Sequence, residues 1–132
     1  MVNVRRGDQV APGRLEGVRE LVNTWLIPND TRVAEDRFDT YVAEHGVAAS
    51  QQGELRRLRD DLRRVIDGSA TADDVFNLWI DRLDVRPHVA SGAVGFRHTA
   101  GVCGDIVATC LTAVQAGRWH RLKACPDCQW VF

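Results

Sequence analysis

Long apolar runs are missing from this sequence: no stretch of its 132 residues approaches the ~20 consecutive apolar residues that a helix needs to cross a bilayer. A secretory leader is missing too, since Met1-Val-Asn-Val-Arg-Arg-Gly-Asp8 carries charges but no apolar core of signal-peptide length. The expectation is a cytoplasmic protein whose four cysteines are thiols or metal ligands, because disulfides persist mainly in oxidising compartments. Neither sign of charge is in surplus. With 17 basic and 18 acidic residues the net charge is −1, so no global field holds a polyanion and any nucleic-acid contact must be local. No glycine-rich phosphate loop, two-histidine helix motif or nucleophile with a base at interpretable spacing occurs. These absences argue against a hydrolase or nucleotide-binding enzyme, and the chain reads as a non-enzyme.

What is present suffices for one domain. At 45% hydrophobic and 27% charged residues the chain can bury one ordinary core. Residues 1–14 are polar, contain Pro12 and Gly13 and lack a period, so they read as a flexible arm. Apolar residues Leu15, Val18, Leu21, Val22, Trp25 and Leu26 then follow helical spacing until Pro28-Asn29-Asp30. Asn23 lies off that stripe and reads as structural or solvated. A shorter helix is expected over 34–45, with Phe38, Tyr41 and Val42 inward and Gly46 as its stop. Leu55, Leu58, Leu62, Val65 and Ile66 predict a helix capped by Ser50 and ended by Gly68. On its other faces Arg56, Arg59 and Arg63 share a stripe, a phosphate-binding edge in outline. Acids four residues away (Arg56 with Asp60, Arg57 with Asp61, Asp60 with Arg64) favour a solvated, salt-bridged face instead.

Thr71 with Asp74 resembles a capping box and opens a helix that is apolar over more than half its circumference, through Val75, Phe76, Leu78, Trp79, Ile80 and Leu83. The neighbouring carboxylates Asp73 and Asp74 fit the positive end of a helix dipole better than acid–base work. Alternation then predicts a hairpin, Val85–Ala90 and Ala93–His98 around Ser91-Gly92, with Pro87 on an edge strand. Across it His88 and His98 are expected to face one another, as surface residues more readily than as a metal pair. A fifth helix follows from about Gly101 to Ala116. Its Cys103 and Cys110, two turns apart, read as core-filling thiols.

The one spacing with chemistry of its own is at the end, in Arg118-Trp-His-Arg-Leu-Lys-Ala-Cys-Pro-Asp-Cys-Gln-Trp-Val-Phe132. Cys125 and Cys128 form a Cys-x-x-Cys pair whose tight turn, Pro126-Asp127, can point both thiolates at one cation. A structural zinc site wants four ligands, and no Cys, His, Asp or Glu follows Cys128, so half a site is supplied. The aromatic residues Trp130 and Phe132 at the end would be poorly placed in water, and more chain is expected to follow. Arg118, Arg121 and Lys123 are placed to meet phosphates beside such a knuckle.

On these residues the chain resembles a known family. The segment Arg121–Phe132 is similar to the start of the zinc finger of the bacterial CGNR proteins. In those proteins a downstream pair ending in Cys-Gly-Asn-Arg, absent here, completes the site. Pro12-Gly-Arg-Leu-Glu16 leading into Leu21-Val-Asn-Thr24 resembles the helical ABATE domain that accompanies that finger. The resemblance implies a mainly α fold of about five helices with a small β-hairpin, an ABATE-like domain over 15–117, and an incomplete CGNR-type finger over 118–132. It further implies a bacterial, stress-responsive transcription regulator that uses zinc and binds DNA in its full-length form. Two alternatives remain. One is a homodimer, joined by a shared zinc between two Cys125–Cys128 pairs or by apolar tails. The other is a dithiol redox protein, which would need the cysteines at a strand-to-helix junction.

Overall fold

The computed structural model describes residues 10–132, with side chains from Leu15 onward. The chain is mainly α-helical with two small antiparallel sheets. Helix α1 covers Val10–Val22, so its backbone is helical from five residues ahead of the expected start at Leu15. Pro12 does not oppose this, because the first-turn N–H groups of a helix have no internal acceptor and a proline there loses nothing. Of the expected arm, residues 1–9 lie outside the described residues.

Helix α1 also ends earlier than its apolar pattern suggests. The Thr24 hydroxyl donates back to the Leu21 carbonyl at 2.8 Å, the Asn23 carboxamide turns to a distant segment, and the chain straightens. Trp25–Leu26 becomes strand β1, paired with β2 at Glu35–Asp36. Helix α2, Phe38–Glu44, buries Phe38, Tyr41 and Val42 as expected, and Gly46, at φ +62°, ends it. Helix α3 is Ala49–Ile66, with Leu55, Leu58 and Leu62 fully buried. Ser50 is not its cap: Ala48 holds that position without a side-chain bond, and Ser50 lies inside the first turn.

Helix α4 spans Ala72–Leu83, and the Thr71 hydroxyl accepts from the Asp74 amide at 3.3 Å, as the capping pattern requires. Val75, Phe76 and Trp79 are buried, but Leu78 is exposed, so the helix is less enclosed than its composition implied. Strands β3, Arg86–Ala90, and β4, Ala93–Arg97, form the expected hairpin. Ser91 and Gly92 both take positive φ, the conformation of a two-residue turn that matches strand twist. Helix α5, Gly101–Gln115, packs against α1, α3, α4 and the hairpin. Arg118 N donates to Ala113 O at 2.8 Å and Gly117 N to Val114 O at 3.0 Å, which closes α5 in a Schellman arrangement around the left-handed Gly117.

The arginine stripe on α3 is not a solvated face. Arg59 is 2% exposed. It donates to Asp36 at 2.7 and 3.1 Å, to Asp60 at 2.9 Å and to the Thr24 hydroxyl at 3.0 Å. Arg56 reaches across to Asp36 and Asp39 and lies over the Phe38 ring. The expected pairs four apart do not form; Arg64 instead bonds Asp61, three residues back, at 2.9 Å. Buried Asp61 also accepts from the Trp79 indole at 2.8 Å, so the largest core side chain has its polar atom satisfied.

Hydrogen bonds from Arg59 hold the Asp36 carboxyl below its ordinary range, opposed by partial burial and aided by the Phe38 amide and the charges of Arg59 and Arg56. A depressed carboxylate stabilises the fold above its unfolded-state pKa, about 3.9, and the contribution disappears as pH falls through the lower folded value. Asp36→Asn is therefore expected to unfold at lower urea than wild type at about pH 6, with the gap shrinking below about pH 4. A gap independent of pH would show that this ion pair does not contribute in that way.

Candidate metal centre

After Gly117 the chain makes one 3-10 turn, Trp119–Arg121, anchored where the Trp119 ring meets Phe76 edge-on at 5.1 Å. It then extends and folds back on itself. Lys123 and Phe132 exchange both backbone bonds, at 3.0 and 2.9 Å, Ala124 bridges Val131, and Cys125 N donates to Trp130 O at 2.7 Å. The cysteine pair is the turn of this small ladder. Gln129 N closes it on Cys125 O at 2.9 Å, with Gln129 at φ +66°. The Cys128 amide points at the Cys125 sulfur, 3.5 Å away.

That amide, followed by the Asp127 amide and the Cys128 thiol, pulls the Cys125 pKa below the ordinary thiol value. Backbone N–H groups directed at a sulfur favour its thiolate, which is both the nucleophilic and the metal-binding form. Both thiols are half-buried and free. The donor set thus fits half of a tetrahedral zinc site. Among the described residues no group of three or more His, Cys, Asp or Glu gathers around any point, so the other two donors are not supplied there.

The helical body holds this turn at several atoms. The carboxamide of Asn23, 8% exposed, donates to Val131 O at 2.8 Å and accepts from Val131 N at 2.7 Å, pairing with one residue as a neighbouring strand would. Val131 is fully buried. Arg63 donates to Val22 O at 2.5 Å and to Gln129 O at 2.7 Å, and Ile27 N donates to Cys128 O at 3.0 Å. Arg63, which has no carboxylate partner among the described residues, lies over the Trp25 ring, and burial lowers its pKa. Asn23 is therefore structural, and Arg63 is a buried clamp; neither role has a local signal beyond a polar residue at the end of an apolar stripe.

Other candidate residues divide clearly. Arg121 and Lys123 are exposed and Arg118 is half-buried, and among the described residues none of their side chains has a hydrogen-bond or ion-pair partner. Arg118 and Arg121 line one groove of about 430 Å³ with Leu15, Leu122 and Phe132. His88 and His98 do not face each other: His88 pairs with Gly95, and His98 lies past the end of β4. Nor is His98 a simple surface residue. Its ring accepts from Ala100 N at 3.1 Å, meets Asp105 at 3.0 Å and occupies space that any side chain at Gly104 would fill. Cys103 and Cys110 are buried, and desolvation pushes the Cys103 thiol up to about 11 and Cys110 higher still.

No protein-family model, no curated protein and no solved structure matches the chain.

Two measurements follow from the geometry. Iodoacetamide at about pH 7 should label Cys125 fastest and leave Cys103 and Cys110 unmodified in the folded protein, since thiolate fraction and access both favour the turn. Equal labelling of all four would contradict the burial and the sulfur-directed amides. Asn23→Ala leaves the Val131 N–H and C=O unpaired inside the protein, at a cost of about 1–3 kcal/mol. Hydrogen exchange at Val131 should then accelerate well beyond that of the α3 amides; a uniform change would mean the tail is held by apolar burial alone.

Proposed function

We propose that this chain is the helical regulatory module and first half of the zinc-binding element of a DNA-binding transcription regulator of the CGNR type. The observation that carries the reading is the Cys125–Cys128 turn, shaped with an amide on sulfur and bonded to the helical body through Asn23, Arg63 and Ile27. A turn fixed in this way presents its thiolates without further ordering, which favours metal capture. The zinc would be held by Cys125 and Cys128, with two donors from outside these 132 residues or from a second copy. Arg118, Arg121 and Lys123, beside that turn and without acidic partners among the described residues, supply local phosphate contacts on an otherwise nearly neutral chain. A dithiol redox role is less well supported, because the cysteines sit at the tip of a β-ladder and not at a helix start.

Cobalt(II) titration tests the metal. A thiolate-to-cobalt absorption band is expected for the wild type and should vanish in Cys125→Ser and in Cys128→Ser, while native mass spectrometry counts zinc per chain. A zinc shared by two copies predicts half an equivalent and a dimer that chelation dissolves. Absence of the band in the wild type would overturn the metal assignment. For the DNA contacts, each of Arg121→Ala and Lys123→Ala should flatten the salt dependence of duplex binding by about one unit of log–log slope.

A further inference from the structure

A cleft of about 640 Å³ opens beside α1 and α2, lined by Glu16, Arg19, Glu20, Tyr41, Glu44 and, from the cysteine ladder, Trp130. Its cations are already matched. Arg19 makes two bonds to Glu16, at 3.0 and 2.5 Å, and Arg37, at the cleft edge, is held by Glu35 at 2.9 and 2.6 Å. Asn23 and Thr24 also border the space, but their polar atoms are engaged with Val131, Leu21 and Arg59.

Three groups in the cleft remain. Glu44 has no hydrogen-bond or ion-pair partner among the described residues. Glu20 has, among the described residues, only the imidazole of His45, at 3.4 Å, and that ring is stacked on Tyr41 with centroids 4.1 Å apart. Tyr41 is 8% exposed, yet among the described residues its phenol has no hydrogen-bond partner. Burial, and then the charge of Glu20, raise the pKa of that phenol. A polar group so enclosed is ordinarily satisfied, and one that is not calls for a bound partner. Trp130, partly exposed, adds an indole to the same space, and aromatic rings pack on such faces in offset or edge-on arrangements.

We infer that this cleft binds a small organic ammonium ion with an aromatic body, its charged head between Glu20, Glu44 and the Tyr41 hydroxyl and its ring against Trp130. An anion of the same shape meets two carboxylates that no arginine among the described residues neutralises, so charge sets the selectivity. The site goes beyond the zinc reading and needs no metal.

Calorimetric titration of the full chain in the presence of a chelator tests it, so that failure of zinc binding and failure of this site are separate results. Phenethylamine is the probe, and phenylacetate is the control of matched skeleton and opposite charge. Saturable binding of phenethylamine, with none for phenylacetate, is expected. Glu44→Gln, at an exposed helix end, should weaken it about tenfold, the usual scale for a charge-assisted hydrogen bond. Tyr41→Phe should weaken it several-fold, with circular dichroism and the urea midpoint verifying the fold. No binding of phenethylamine, equal binding of phenylacetate, or unchanged affinity in Glu44→Gln would each overturn the assignment.

Discussion

The pairing of one carboxamide with one buried backbone residue fixes the relation between the two parts of this chain. Asn23 and Val131 are 108 positions apart, and the two bonds between them satisfy the backbone edge of Val131 that faces away from its ladder partner Ala124. Each alternative arrangement leaves a donor or acceptor unpaired away from water, which costs more than the made bond contributes. Because Val131 is fully buried beside this pair, apolar burial and polar satisfaction depend on the same register. Shift the tail by one residue and Trp130 or Phe132 turns inward while Val131 turns out.

Two arginines on α3 extend the same constraint. Arg59 joins the end of α1 to β2 through Thr24 and Asp36, and Arg63 joins it to the tail through Val22 and Gln129. The guanidinium suits this work, since its planar fork can serve several acceptors at once and stays charged when desolvated. Arg63 manages without a carboxylate among the described residues because the carbonyl it meets on α1 belongs to the last turn, where the helix dipole is negative, and because the Trp25 face covers it. Helix α3 thus has two inward sides, a leucine stripe toward the core and an arginine stripe toward a polar seam.

That double character explains which parts of the structure the sequence made legible. Helices and hairpin followed from apolar period and from Gly46, Gly68, Ser91-Gly92 and Gly117, whose signals are local. The stripe of Arg56, Arg59 and Arg63 looked solvated because acids stood four positions from Arg56, Arg57 and Arg64, but apart from the neighbouring Asp60 the acceptors of Arg59 and Arg63 lie 23 to 66 positions distant. No period marks such partners. The same holds for β1 and β2, two-residue strands stabilised from outside, and for His98, whose acceptor Asp105 is near in sequence but is brought to it by the start of α5. At the candidate site the cysteine spacing was readable, whereas the grip of Asn23 on Val131 required the fold.

The tail's alternation also distributes charge around the site. With Val131 inward, Trp130 and Phe132 face outward and border separate spaces, the first an acidic cleft, the second a groove containing Arg118 and Arg121. Both spaces share Glu16 and Arg19 on α1, a bonded pair that is neutral as a unit and so separates the two potentials without adding to either. A net charge of −1 therefore conceals a local arrangement in which the basic side of the cysteine ladder has no acidic partner among the described residues. For a polyanion this matters more than the total, since screening confines its attraction to groups within about 10 Å. Arg118, Arg121 and Lys123 all belong to the segment that carries the thiols, so the contacts that hold the ladder to the helical body place these charges beside the cysteine turn as well.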